Sequence, residues 1–160
     1  MRLQLVPALN SGASPVPEDQ LYVSPRVHQI VKDFLDERRL LACELSIERP
    51  VYIHVAVAAR LRAHARANRT RVTELALEAL YRYIHPTTGG PDGTGWPFER
   101  PLFVAEVYSL LQGIDGVDTV EDAALYQVSA PSGDRGRPLN RITPGSDGIL
   151  CSAEHRVQFA

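Results

Sequence analysis

The stretch that decides the fold is VYIHVAVAARLR, residues 51–62, in which two classes of side chain alternate. Its odd-numbered positions, from Val51 to Leu61, are all aliphatic, whereas its even-numbered positions mix polar groups with alanine and end in Arg60 and Arg62. A period of two places one set of side chains on each face of a strand. The stretch therefore predicts a half-buried strand whose basic end runs beyond the body of a sheet.

The segment before this strand has the spacing of an amphipathic helix. Ser24 is suited to an N-cap, and Pro25 fits the first turn. Apolar residues then recur three and four positions apart, which predicts a helix with one buried stripe. The stripe consists of Val27, Ile30, Val31, Phe34 and Leu35.

The remaining chain adds elements of both kinds. A second helix follows the turn at residues 64–68 and stops before Pro86, and a third ends near Gly113. Strands are predicted near the N-terminus, around Ile47, over residues 117–128 and in the tail. This order predicts an α+β, ferredoxin-like two-layer sandwich: a mainly antiparallel sheet with its helices on one face. Residues 1–128 are expected to form the core, and residues 129–160 a C-terminal extension with a last strand.

Composition limits the classes of partner. The chain has 160 residues, 44% of them hydrophobic, and a formal net charge of -2, so it has no overall attraction to nucleic acid or to an anionic membrane surface. No apolar run reaches the roughly 18–20 residues that span a bilayer. Cys43 and Cys151 do not have the spacing of metal ligands, which favours free thiols in the cytoplasm.

The motifs of catalysis are absent from the sequence. No two of the five histidines lie four residues apart, and there is no GxSxG motif. The glycine-rich run GGPDGTG, residues 89–95, lacks the lysine of a phosphate-binding loop. The acidic runs are expected to be solvated. We therefore predict a protein that is not an enzyme and has no catalytic residue, metal, cofactor or small-molecule substrate.

A basic cluster follows the end of the decisive strand. We call it the arginine cluster; it consists of Arg60, Arg62, His64, Arg66, Arg69 and Arg71. It is suited either to phosphate contacts with nucleic acid or to an arginine-rich protein interface. The cluster lacks interleaved aromatic residues for base stacking, which favours the protein interface. Within it, Arg60, Arg62, Arg66 and Arg69 are the candidate contacts.

Residues 87–101, TTGGPDGTGWPFERP, form what we call the aromatic loop. Its glycines and prolines exclude regular structure, yet Trp96 and Phe98 carry large apolar surfaces that predict an ordered loop. The two rings either fill the core beneath the loop or are exposed as anchors of a protein contact. Both alternatives are open at this point, and both residues are candidate interface residues.

Two long stretches carry a resemblance to a known family. They are VKDFLDERRLLACELSIERPVYIHVAVAARL, residues 31–61, and LEALYRYIHPTTGGPDGTGWPFERPLFVAEVYSLLQGIDGVDTVEDAALY, residues 77–126. Their order resembles the C-terminal region of baseplate J-like proteins, the wedge subunits of contractile phage tails and contractile injection systems. Full-length members of that family have a substantial region upstream of this one.

The resemblance implies a structural role without catalysis. The partners that it implies are other baseplate wedge subunits and hub or sheath-initiating proteins, in a phage-tail-like particle assembled in the cytoplasm. No membrane partner is implied, and nucleic acid is disfavoured. The alternative, from another class, is a small nucleic-acid-binding α+β module that uses the arginine cluster between Arg60 and Arg71.

Overall fold

In the computed structural model, the described residues are 2–10, 12, 14–40, 43–129 and 132–160. These ranges contain three α-helices: α1 (Pro25–Asp36), α2 (Arg69–Tyr83) and α3 (Val104–Gln112). The strands are β1 (Arg2–Gln4), β2 (Ser46–Glu48), β3 (Val51–Ala63), β4 (Leu102–Phe103), β5 (Val117–Ser129), β6 (Asp134–Arg135), β7 (Arg141–Ile142), β8 (Gly148–Ser152) and β9 (Arg156–Phe159).

The central sheet is built on β3. On one side β3 pairs with β5 in antiparallel orientation, and β5 pairs in turn with β6. On the other side both β8 and β9 pair with β3 in parallel orientation, β8 along its first half and β9 along its second. The prediction of a mainly antiparallel sheet was wrong, because the tail returns along β3 in the same direction. The fold is α+β with a mixed sheet, and the ferredoxin-like two-layer sandwich is not confirmed.

The period of two in β3 is clear at its basic end, where Ala59 and Leu61 are buried while Arg60 and Arg62 on the opposite face are exposed. In the middle of the strand both faces are covered, since Val55, Ala56 and Val57 are all completely buried. The buried face packs with α2 and α3 in one hydrophobic core. The helical members of that core are Val72, Ala76, Leu80, Val107 and Leu111.

Side-chain hydrogen bonds to the backbone fix where α2 and α3 begin. The Asn68 side chain accepts a hydrogen bond from the Arg71 backbone N–H at 3.2 Å, which caps α2. The Glu106 carboxylate accepts one from the Phe103 N–H at 2.9 Å, which caps α3. Both helices, and the strand predicted over residues 117–128, are confirmed.

Helix α1 lies outside this core. Ser24 caps it as predicted, since its hydroxyl accepts a hydrogen bond from the Val27 N–H at 3.3 Å. The predicted burial of its apolar stripe was wrong: Val27, Ile30 and Phe34 are 44%, 57% and 55% exposed. None of the residues of α1 belongs to the hydrophobic core of the central sheet, and β1 and β2 form a separate two-stranded parallel sheet. The helix therefore does not lie on the central sheet.

Candidate docking interface

Helix α1 exposes three large apolar side chains on one face. We define the α1 surface as Val27, Ile30 and Phe34, which follow one another at three- and four-residue spacing and so lie on one side of the helix. Val31 and Leu35, the other members of the predicted stripe, are only half-buried. Contiguous apolar surface of this kind marks a site of contact with another protein.

Polar and charged residues of α1 and its C-terminal end make contacts beside the α1 surface. The Arg38 guanidinium lies 3.8 Å from the centre of the Phe34 ring, and it donates a hydrogen bond to the Phe34 carbonyl at 2.8 Å. Along the adjacent flank, the Gln29 amide donates to the Asp33 carboxylate at 2.7 Å. The contact with Arg38 restrains the Phe34 ring, so less side-chain entropy is lost at that residue when a partner binds.

The two aromatic residues of the aromatic loop, Trp96 and Phe98, differ in burial. Trp96 is only 2% exposed, and its indole N–H donates to the Arg100 carbonyl at 3.0 Å. Its ring meets the Tyr83 ring edge-to-face at 5.6 Å between centres, so Trp96 fills the core beneath the loop. Phe98, in contrast, is 38% exposed at the surface of the loop. The interface role of either residue stays a prediction.

A partly buried ion pair between Arg100 and Glu106 fixes this loop to α3. The Glu106 carboxylate accepts hydrogen bonds from Arg100 at 2.5 Å and from the Tyr83 hydroxyl at 2.9 Å. Burial alone would raise the pKa of Glu106, but the hydrogen bonds from Arg100, the Phe103 amide and Tyr83 hold it below its usual value. Burial, followed by the hydrogen bond to Glu106, raises the pKa of Tyr83 to about 12.

Acidic side chains of β5 form ion pairs with part of the arginine cluster. Arg60 Nε lies 3.8 Å from a Glu121 carboxylate oxygen, and Arg62 donates to the other oxygen of the same carboxylate. His64 lies 3.5 Å from Asp118. Arg60 and Arg62 thus share one exposed strand face, and their positive charge is partly compensated there.

The rest of the cluster points elsewhere. Arg66 lies exposed in the turn before α2, and Arg69 lies at the first residue of that helix, 5.5 Å from the centre of the Phe159 ring. Arg71 pairs with Glu74 at 3.3 Å. The six residues therefore do not converge on a single site.

The outer face of the central sheet carries a second surface, which the sequence did not indicate. Ala58 and Ala124, which are paired across β3 and β5, form part of the floor of a groove of about 440 Å³. Arg60, Arg135 and Arg156 also line it. Arg135 and Arg156 reach this face only because the tail folds back against the sheet, and no local sequence pattern indicates that return.

A buried Ser152–His155 pair was also missed. The Val57 N–H donates to His155 Nδ1 at 3.0 Å, so the ring proton is on Nε2, which lies 3.1 Å from the Ser152 hydroxyl. Ser152 in turn donates to the Ile84 carbonyl at 2.8 Å. His155 therefore donates to the serine and does not accept its proton, which is the reverse of nucleophile activation. The pair joins β8 and β9 to β3 and α2.

No group of three or more potential metal-binding side chains occurs within the described ranges. Over the same residues, no helix combines the length and the apolar character needed to cross a bilayer. The described residues form an α+β body with an exposed apolar helix face and an exposed aromatic ring, and surfaces of this kind are suited to contact with another protein.

Comparison with known proteins finds a similar fold in a solved structure. No family model matches the sequence, and no curated protein matches it. The structure is similar to a chain in the cryo-EM structure of the anti-feeding prophage baseplate, with a TM-score of 0.53 and 19% sequence identity. The match covers 82% of this chain and 26% of the baseplate chain. The chain thus spans about a quarter of that protein's length and shares the fold of that part.

Proposed function

We propose that the chain is a structural component of the baseplate of a contractile injection system or phage-like tail, and that it acts by docking onto other subunits. The observation that carries the proposal is the shared fold over 82% of the chain with a chain of the anti-feeding prophage baseplate. The exposed α1 surface supports it, because an isolated globular protein normally buries such a stripe.

The finer role that we propose is that of a wedge subunit. Its partners are then other wedge subunits and the hub or sheath-initiating proteins. The contacts that we assign to these partners are Phe98 and the arginine side chains. Phe98 lies on a loop whose other aromatic residue, Trp96, is buried in the core. The arginine contacts are Arg60, Arg62, Arg66 and Arg69. Arginine and aromatic residues are enriched at protein interfaces.

We propose that this role involves no catalysis. The Ser152–His155 pair is at most 4% exposed, and its hydrogen bonds have the wrong direction for a nucleophile and its base. The other buried histidine, His85, accepts hydrogen bonds from the Thr87 and Thr88 amides at 3.3 and 3.2 Å and so organises the aromatic loop. Nδ1 of each histidine thus accepts a backbone hydrogen bond that stabilises the fold.

The proposal is tested in the cell that encodes the chain. We expect the epitope-tagged chain to co-sediment with contractile particles and to be found at their baseplate by immunogold labelling. Deletion of the gene is expected to abolish sheathed particles, and the wild-type gene to restore them. Tagged chain that never co-sediments with particles, or a deletion strain that assembles normal particles, contradicts the proposal.

A matched pair of variants tests the assigned contact. Phe98→Asp is expected to reduce incorporation of the chain into particles at least tenfold, because it places a charge in an apolar contact. Val51→Asp, at an exposed aliphatic residue outside the assigned contacts, is the control and is expected to be incorporated normally. Equal incorporation of both variants removes Phe98 from the interface.

A further inference from the structure

The α1 surface has the layout of one half of a helix pair. Val27, Ile30 and Phe34 lie at positions i, i+3 and i+7, which is the spacing of the residues that one helix buries against another. The helix has 12 residues and is therefore about 18 Å long. A second helix of similar length would cover all three side chains.

The charges on one flank of this stripe are separated by sign. With 3.6 residues per turn, Arg26, Asp33 and Glu37 lie within about 40° of one another around the helix axis. The basic residue is at the N-terminal end, and the two acidic residues are at the C-terminal end. Within the described ranges Arg26 has no ion pair, whereas Asp33 accepts from Gln29 and Glu37 pairs with Arg38 at 3.1 Å.

This arrangement is complementary to itself. When two copies of α1 are placed antiparallel about a two-fold axis near Ile30, Val27 of one copy faces Phe34 of the other. The same operation places Arg26 of each copy between Asp33 and Glu37 of the other, on the same side of the pair. In a parallel pair about a two-fold axis, the charged flanks of the two copies lie on opposite sides of the pair, so Arg26 of one copy does not meet Asp33 or Glu37 of the other. Self-complementarity about a two-fold axis is what an interface between identical subunits requires.

We propose that the α1 surface binds the α1 surface of a second copy of this chain, with the two helices antiparallel. The proposal goes beyond the baseplate role, because it names the partner of this surface and can be measured on the purified chain alone. The apolar stripe supplies the affinity and the flanking charges set the orientation.

The first test is the mass of the purified full-length chain by sedimentation equilibrium. We expect a dimer with twice the 17.7 kDa mass of the chain, and we expect Ile30→Glu to raise the dissociation constant at least tenfold. Val51→Glu is the control, because Val51 is 58% exposed and Ile30 57% exposed. Circular dichroism verifies that both variants fold. A monomeric wild-type chain, or an Ile30→Glu chain with unchanged dimerisation, overturns the proposal.

The second test concerns the charges. Arg26→Glu is expected to weaken the dimer severalfold at low salt, since it places three acidic groups together at each end of the pair. Adding Asp33→Arg and Glu37→Arg to that variant reverses every charge on the flank and is expected to restore the wild-type dissociation constant. Failure of the triple variant to recover shows that these charges do not face one another and rejects the antiparallel arrangement.

The third test fixes the orientation by disulfide formation. Val27→Cys and Phe34→Cys are made separately in a Cys43→Ser background, and the buried Cys151 is retained. When the two proteins are mixed and oxidised, an antiparallel pair is expected to give mainly the mixed 27–34 disulfide. Disulfides of 27 with 27 and of 34 with 34 indicate a parallel pair, and no disulfide indicates another partner; each result overturns the proposal and leaves the baseplate role untouched.

Discussion

His155 connects three elements through one uncharged ring. Burial, followed by the positive charge of Arg135, lowers the pKa of His155 to about 3. The ring accepts from the Val57 amide and donates to Ser152, so protonation of Nδ1 would break the contact with β3. The position of this single residue therefore makes the stability of the tail sensitive to acid.

The sign of this effect follows from proton binding. The unfolded chain has an ordinary histidine pKa of 6.5, whereas the folded chain holds His155 neutral down to about pH 3. Between these values the unfolded state binds more protons, so the free energy of unfolding falls as the pH falls. At pH 5 the expected loss from this group is on the order of 2 kcal/mol relative to pH 7.

Chemical denaturation at a series of pH values measures the effect. His155→Asn retains an oxygen that can accept from the Val57 amide and removes the titration. The variant is expected to be less stable at pH 7 and to show a shallower fall in unfolding free energy between pH 6.5 and 5. An unchanged slope would show that His155 is not the titrating group.

Gly95 is a second residue whose identity the backbone requires. Its φ is +112°, and a Cβ added there would lie 2.8 Å from the Pro86 carbonyl oxygen. Gly95→Ala is therefore expected to lower the free energy of unfolding by about 1–3 kcal/mol because of the backbone conformation. A further loss is expected because the backbone at Pro86 must move away from the added Cβ. Thermal unfolding measures the loss.

Gly93 in the same loop provides the control. Its φ is +68°, and nothing lies within 4 Å of the added Cβ. Gly93→Ala is expected to cost about 1 kcal/mol or less, because the strain is partly offset by the lower entropy of the unfolded chain. Equal losses for the two variants would contradict the tight packing of the aromatic loop around Gly95.

At the scale of elements, the sequence predicted what local patterns determine. The alternation in residues 51–62 and the stripe of α2 identified β3 and α2 because each pattern matches the period of the element that it forms. Pro86 and Gly113 marked helix ends correctly for the same local reason. Among the candidate contacts, exposure of Arg60 and Arg62 followed directly from their position on the polar face of the strand.

Features that depend on distant parts of the chain were not predicted correctly. The stripe of α1 is a valid amphipathic pattern, but its burial depends on where β1 and β2 pair, and they pair away from the central sheet. The tail showed apolar alternation at Val157 and Phe159, yet its parallel pairing with β3 is set by the crossover that precedes it. The groove beside Arg156 and the Ser152–His155 pair were missed for this reason.

At the scale of the whole molecule, the net charge and the position of the carboxylates disfavour nucleic acid as a partner. The net charge is -2, and the arginine cluster is interrupted by Glu121, Asp118 and Glu74 at short distance. Each of these carboxylates repels phosphate at the position where an arginine would attract it. The exposed apolar side chains of the α1 surface are suited to a protein partner.

We therefore expect no sub-micromolar binding to duplex or single-stranded DNA at physiological salt, measured by fluorescence anisotropy. Sequence-independent binding depends on phosphates neutralised by free basic groups, and Arg60 and Arg62 share one carboxylate here. Glu121→Gln releases both guanidinium groups and is expected to strengthen the weak DNA binding at low salt severalfold. Glu18→Gln is the control, because Glu18 is a distant, exposed carboxylate, and it is expected to change binding only through the net charge. Sub-micromolar binding by the wild-type chain, with a steep salt dependence that Arg60→Gln and Arg62→Gln reduce, would favour the nucleic-acid module instead.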